Sequence, residues 1–582
     1  MKHPGKMASG AESKMPRFNF IVVGGGSAGC VLASRLSEDR SRNVLLIEAG
    51  RDTPPGDVPK DILDPYPHFA YYNRDYHWTS LKATKGSPDA NDDAHPRHTY
   101  EQGRIMGGSS SINGMMAIRG VPSDYDAWVE SGAGGWAWQD VLPYFIKLER
   151  DTDFVGPAHG RDGRIPIYRV PRHEWPGFST AACKAMENAG FAFHDDHNGE
   201  VQDGIFPMPV SNAEGHRVSS AMAYLDEDVR QRPNLTILSN SQVRRIEIED
   251  GAAVGVLIES DREFQSIAGD EVIVSCGALH SPALLMRSGI GPKFEIENAG
   301  IESRLHRAGV GKNLQDHPLI AIGSYLRQDG RMPWKMRRHL HCGLRYSSNH
   351  PDCPNSDMYV LPANKVGWHS IGIRFAAFLL WVNRSFSQGS VKIDRQDPFG
   401  EPHVALNLLS DDRDLERLVD GFKMVSGWFD DPVLNAVAPE PFGAAYSEKV
   451  RKLGRKSAVN GLIAGLGAFA MDINGALRRK IVSTLVAPTG GLSSLLGDEE
   501  LLRDWIRQNV THGWHSSGTC RMGTSDDPDA VVDNHCRVIG LSNLRVVDAS
   551  VMPCVVSANT NLTTMMIAEK VSDQIRKQEK AT

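Results

Sequence analysis

The chain has 582 residues, with 64 Lys and Arg against 71 Asp and Glu, so its net charge is −7. Hydrophobic residues make up 41% and charged residues 23%, which excludes wholesale disorder. The weakly acidic balance argues against a protein built to grip nucleic acid.

Residues 1–17 are polar, without the apolar run of a secretory signal, and read as a disordered extension. The eight cysteines contain no C-x2-C pair, so neither a zinc ribbon nor a disulfide framework is expected. With no uninterrupted apolar run of about 18 residues for a membrane span, the expected compartment is the cytoplasm.

Phe18 to Val23 (FNFIVV) is a short buried strand. Gly24-Gly25-Gly26-Ser27-Ala28-Gly29 follows, then a helix with Val31, Leu32 and Leu36 on one face, then a second strand, 44–47, ending at Glu48. Strand, glycine turn, helix, strand and acid within about 30 residues form the dinucleotide-binding unit. Its glycines let the backbone approach a pyrophosphate at the helix N-terminus. Glu48, nineteen residues after Gly29, is placed to accept hydrogen bonds from a ribose. The same residues also fit G-x-S-x-G, the hydrolase nucleophile elbow with Ser27 as nucleophile. That rival lacks earlier strands to supply an oxyanion donor, and it leaves Glu48 without a role.

Residues 51–100 have little periodicity and read as an extended surface excursion. The small residues of 103–114 suit backbone lying close to a flat ligand. Strands are expected at 235–238, 243–248, 254–258 and 271–275, the last running into the turn Cys276-Gly277-Ala278. Further strands are expected at 375–382, 391–393 and 544–549, with a helix over 563–575. Residues 457–487, in which 457–471 are apolar and small and Arg478-Arg479-Lys480 follow soon after, read as a buried helix pair or lid. The alternative is an interfacial helix resting on a membrane.

Leu501, Leu502, Trp505 and Ile506 mark one face of a helix that leads into Thr511-His512-Gly513-Trp514-His515. A His in such a glycine-flanked loop is a candidate general base. The pairs His512–His515, His95–His98 and His194–His197 lack a third ligand, so no metal is expected.

These blocks resemble the glucose–methanol–choline (GMC) flavin oxidoreductases over residues 18–576. The carriers are VVGGGSAG with Glu48-Ala49-Gly50, GRIMGGSSSING, GALHSPALLMRSGIGP, GVGKNLQDHP, GWHSSGTCRMG and VVDASVMPCVVSANTNLTTMMIAEK. Through DTPP, YEQGR, FLLWVNRS and SANTNL the chain is most similar to bacterial hydroxymethylfurfural and aryl-alcohol oxidases.

The resemblance implies an α/β fold, α+β overall, with a Rossmann-type FAD-binding domain from 18–150, 204–324 and 499–582. A β-sheet-plus-helices substrate domain would come from 151–203 and 325–498. Gly24, Gly26, Ser27, Ala28, Gly29, Glu48 and Ala49 would hold the ADP part of FAD, with Val243 on the adenine side. Arg104, Gly107, Gly108, Asn113, Gly114 and Met115 would line the pyrophosphate and flavin. Asp548, Ala549, Thr560 and Asn561 would cover the ribityl and pyrimidine end. His515 and Asn559 match the family's active-site pair, and Trp381 and Trp514 are candidate substrate walls, Trp514 also touching the cofactor. Ile112 stands where some members carry a His that binds flavin covalently, so dissociable FAD is expected.

The implied reaction is oxidation of a primary aryl, furanic or allylic alcohol to the aldehyde, with O2 reduced to H2O2. The alternative is a choline- or polyethylene-glycol-dehydrogenase-like enzyme passing electrons to a quinone or other carrier.

Overall fold

The computed structural model describes residues 16–86, 97–445, 448–485 and 492–581. The expected extension therefore lies almost wholly outside the described residues, as do His95 and the end of 457–487. The first sheet has the parallel order Leu235–Leu238, Val44–Ile47, Phe18–Val23, Glu263–Val274, with Leu544–Val546 beside the last. Val22, Leu45, Leu46 and Ile273 have no exposed surface, as expected of parallel strands covered on both faces. The first half of Glu263–Val274 continues into an antiparallel meander with Ala252–Ser260 and Gln242–Glu249.

The helix Ser27–Leu36 follows the first strand, and the long helix Thr560–Ala581 packs against it. Arg35 and Lys147 both reach the fully buried Glu569, at 2.8 and 2.9 Å. A buried carboxylate held by two cations is satisfied there, whereas losing either partner would leave buried charge.

A second, antiparallel sheet runs Glu440–Ala444, Pro318–Tyr325, Phe375–Val382, Met358–Ala363, Cys342–Tyr346, Gly204–Pro207. The strand period of two divides its sides. Ile320, Ile322, Phe378 and Leu380 pack with Leu418 and Phe422 of the helix Asp412–Gly427. Leu319, Ala321, Leu379 and Trp381 line the opposite side, a cavity. The segments 204–207, 318–324 and 511–512, expected in the cofactor domain, belong to this second sheet.

Two other segments depart from expectation. Of residues 51–100, the described 51–86 and 97–100 are more than a surface excursion. Short helices at Lys60–Leu63 and His68–Tyr72 bury Ile62 and Ala70, and His68, Tyr71 and Tyr72 line the cavity. Residues 457–485 do form two helices, Ala458–Ile473 and Gly475–Leu485, but the pair is not buried: in the first, only Ala464, Ala468 and Met471 are. Likewise, Leu502, Trp505 and Ile506 of the helix Glu499–Asn509 are buried, while Leu501 faces solvent.

Candidate active site

A cavity of about 670 Å³ runs from the carboxyl ends of the parallel strands, at Val23, Ile47 and Ser275, to the inner side of the second sheet. That is where open α/β sheets bind ligands. At its first end Gly24 has φ +101°, and a Cβ there would sit 2.5 Å from the Ser275 carbonyl oxygen. A Cβ at Gly29 would meet the Gly24 oxygen at 1.8 Å, so helix and turn close only on glycine. Gly29 thus acts by packing and does not line the cavity.

The helix Ser27–Leu36 begins at Gly26 with no side-chain cap. Its first N–H groups are left as free donors, an arrangement suited to a phosphate. A Cβ at Gly26 or Gly114 would meet nothing closer than 4.0 Å; the space before them is the cavity itself, which a side chain would fill. Glu48 accepts from the Gly25 and Gly50 amides, each at 2.8 Å. Burial pushes its carboxyl up to about 7 against those hydrogen bonds.

Ala28, Ala49 and Val243 share this wall, and Gly108, Asn113 and Met115 form the next. Arg104 and Gly107 do not line it: Arg104 is exposed, its guanidinium 4.8 Å from the Trp78 ring centroid. Asp548 accepts from the Gly277 amide at 2.9 Å and the Ser281 hydroxyl at 2.5 Å, fixing the glycine turn beside Ala549 and Thr560. Ser27 donates its hydroxyl to Asn561 Oδ1 at 2.7 Å. Among the described residues no histidine partners it, which argues against the nucleophile-elbow reading. An uncapped helix start, a glycine cradle and an acid beyond it fit a dinucleotide.

The other end gathers polar groups in an apolar surround. His515 Nε2 is 2.7 Å from Asn559 Nδ2, and His515 Nδ1 is 2.9 Å from His317 Nδ1. The fully buried His317 places Nε2 3.1 Å from the Val556 carbonyl oxygen. A carbonyl only accepts, so His317 Nε2 carries the proton and its Nδ1 accepts. His515 Nδ1 must then be the donor, which leaves Nε2 of the neutral ring as a lone pair beside Asn559. Burial holds His515 well below the ordinary imidazole range and His317 at about 4, so both are neutral near pH 7.

Asp316 fixes this loop through a single oxygen. Its Oδ1 accepts from the amides of His317, Gly513 and His515 at 2.8, 3.0 and 2.9 Å. Its Oδ2 accepts from the Tyr100 hydroxyl at 3.0 Å. Burial nevertheless pushes the acid up to about 6. Two non-glycine residues at this end are left-handed, Met115 at φ +63° and Trp514 at φ +59°. Each such backbone costs about 1–3 kcal/mol and persists only where its surroundings impose it. The Trp514 indole donates to Glu101 Oε2 at 3.1 Å and stands edge-on to Tyr71, with ring centroids 5.6 Å apart. Trp381 lines the cavity while stacked on Tyr359 at 4.7 Å, its N–H held by Asn383.

His512 and His515 turn apart, and His95 lies outside the described residues. His512 stacks on Tyr100 at 4.4 Å while His515 turns to His317 and Asn559. Glu149, Asp151 and His159 do gather elsewhere, but Arg119 and Arg169 bind the two carboxylates at 2.6 and 2.9 Å.

The GMC oxidoreductase family matches this chain in both its parts, the N-terminal model over residues 18–319 and the C-terminal model over 385–568. The chain belongs to the GMC oxidoreductases. It is 40% identical to 5-(hydroxymethyl)furfural oxidase of Methylovorus sp. (strain MP688), with 96% of this chain and 98% of that one aligned. It is 31% identical to oxygen-dependent choline dehydrogenase of Photobacterium profundum, over 96% and 93% of the two chains. Among solved structures, pyridoxine 4-oxidase from Mesorbium loti superposes with TM-score 0.79 at 28% identity, covering 96% and 99%. As a GMC oxidoreductase it is an FAD-dependent enzyme of alcohol oxidation.

Sequence reasoning quoted NLQDHP as a family block but gave no role to Asp316 or His317, the two residues that hold His515. The acid–histidine pair inside that block was the available signal. Tyr100 was quoted within YEQGR but given no role, and Tyr71, from the non-periodic stretch, was not singled out.

Proposed function

We propose that this flavoenzyme oxidises a primary aryl or furanic alcohol to the aldehyde, with O2 as electron acceptor and H2O2 as product. The observation that carries the reading is the His515–Asn559 contact at 2.7 Å inside a cavity walled by Tyr71, Leu379 and Trp381. Planar rings suit such a wall.

Gly24, Gly26, Ala28, Glu48, Asn113 and Asp548 would hold FAD, which would supply the acceptor for the hydride that leaves the carbinol carbon. His515 Nε2 takes the hydroxyl proton. Asn559 Nδ2–H donates to the oxygen as negative charge grows on it, a stabilisation worth most where water is excluded. The alcohol loses one proton and one hydride. O2 gains two electrons and two protons, so the overall reaction balances as alcohol plus O2 giving aldehyde plus H2O2. The 40% identity to a furfural-type oxidase supports the substrate class.

The test is anaerobic addition of benzyl alcohol or hydroxymethylfurfural to the purified yellow protein, followed by air. Bleaching that air reverses with release of H2O2 is the expected result. Bleaching that air barely reverses would overturn the oxidase assignment in favour of a carrier-linked dehydrogenase. A colourless protein unable to take up FAD would sink the flavin reading.

A further inference from the structure

The helix Ala458–Ile473 inverts the usual arrangement of a surface helix, which hides large apolar residues and shows small or polar ones. Toward the protein it presents Ala464, Ala468 and Met471, with Gly467 pressed so close that a Cβ would meet Ile371 at 3.1 Å. Toward solvent it presents Val459, Leu462, Ile463, Leu466, Phe469 and Ile473, each 55–68% exposed. Their spacing of three and four residues makes one continuous stripe. Single exposed apolar side chains are ordinary, but a contiguous set marks an interaction surface.

The charge around this stripe identifies what covers it. Residues 449–497 contain eight Lys or Arg and one acid, Asp472, in a chain whose net charge is −7. Asp472 is turned to Arg374 and Arg331, at 2.6 and 2.8 Å. Lys452, Arg455 and Lys456 stand exposed before the helix, and Arg479 and Lys480 after it. A second copy laid on this face would bring like charges together at both ends. An anionic lipid surface meets the apolar stripe and both basic ends at once. Among the described residues no helix is long and apolar enough to cross a membrane, so the contact lies in the interface plane.

We propose that the helix Ala458–Ile473 docks this protein on anionic bilayers, its apolar stripe at the headgroup–acyl boundary and its basic ends among the headgroups. The catalytic cavity reaches the foot of this helix. Leu453, Gly454 and Ile371 line it, and the Trp368 indole ties the helix approach to that wall by donating to the Gly454 oxygen at 2.7 Å. Docking would therefore bring this wall of the cavity toward the lipid surface, whichever alcohol the site oxidises.

The test is flotation of the purified flavoprotein with vesicles of phosphatidylcholine alone or mixed equally with phosphatidylglycerol. Binding to the mixed vesicles, weakened by salt, is expected. Leu462→Ser/Leu466→Ser/Phe469→Ser should lower partitioning at least tenfold with benzyl alcohol turnover unchanged. Arg455→Gln/Lys456→Gln should lower it by roughly fivefold per charge removed. A wild-type protein that stays in the aqueous layer overturns the proposal, as does a triple variant that floats like wild type. A dimer in light scattering that the triple substitution converts to monomer also overturns it and assigns the face to a second copy.

Discussion

His317 Nδ1 lies 2.9 Å from His515 Nδ1, and this contact between two neutral rings fixes which nitrogen of His515 is basic. The Val556 carbonyl oxygen orders His317, and His317 in turn orders His515. His317→Leu should retain FAD absorbance and lower kcat by about 10²–10⁴, the range a positioned base contributes. His317→Gln, whose amide can accept from His515 and donate to Val556, should recover part of the loss. Equal losses in the two variants would assign His317 a packing role alone.

The base itself is tested by His515→Ala. The variant should bind FAD and lose about 10²–10⁴ in the rate of alcohol oxidation. Asn559→Leu, which removes a donor to the forming alkoxide, should cost about 10²–10³. Because both act on one oxygen, the double variant should lose less than the product of the single losses. An undiminished rate in His515→Ala would remove it from the mechanism.

The pH dependence follows from burial. A histidine whose affinity for protons is depressed keeps its basic form above the lowered value and loses it only as pH falls through that value. With His515 well below the ordinary range, its own protonation should add no limb to kcat/KM near 6.5. The groups facing it are His317 at about 4, His512 at about 3 and Asp316 at about 6. Asp316 is therefore the first to take a proton, and a step near pH 6 should vanish in Asp316→Asn, which keeps an oxygen for the three amides. A limb near 6.5 that survives this substitution would give the base an ordinary affinity.

The cofactor unit was legible because its determinants are local. Gly24, Gly29 and Glu48 act within one strand–turn–helix–strand, where spacing alone fixes geometry. His515 and Asn559 were singled out through motif resemblance, since nothing local joins residues from a loop and a helix start. His317 was not found, because its role depends on a tautomer set across 198 positions of chain. Tyr71 escaped, and Tyr100 of YEQGR received no role, because an irregular wall leaves no periodic trace. The helix Ala458–Ile473 was placed correctly as a helix but expected to be buried: apolar composition predicts burial only when the large residues face inward, and here they face out.

Ile112 bears on how the cofactor would be held. Its side chain is buried with Ile62, Ala70, Tyr76 and Ile105 while also touching the cavity. It offers no nucleophile at the position where covalent flavin attachment occurs in relatives with histidine there. Cys276 also lines the cavity, but burial pushes its thiol far above the ordinary range, so the reactive thiolate is absent near pH 7. FAD should therefore be held by hydrogen bonds and packing alone. Precipitation with trichloroacetic acid should leave a white pellet and a yellow supernatant, with released FAD equimolar to protein. A pellet that keeps its colour after washing would show a covalent bond and direct the search to another side chain on the cavity wall.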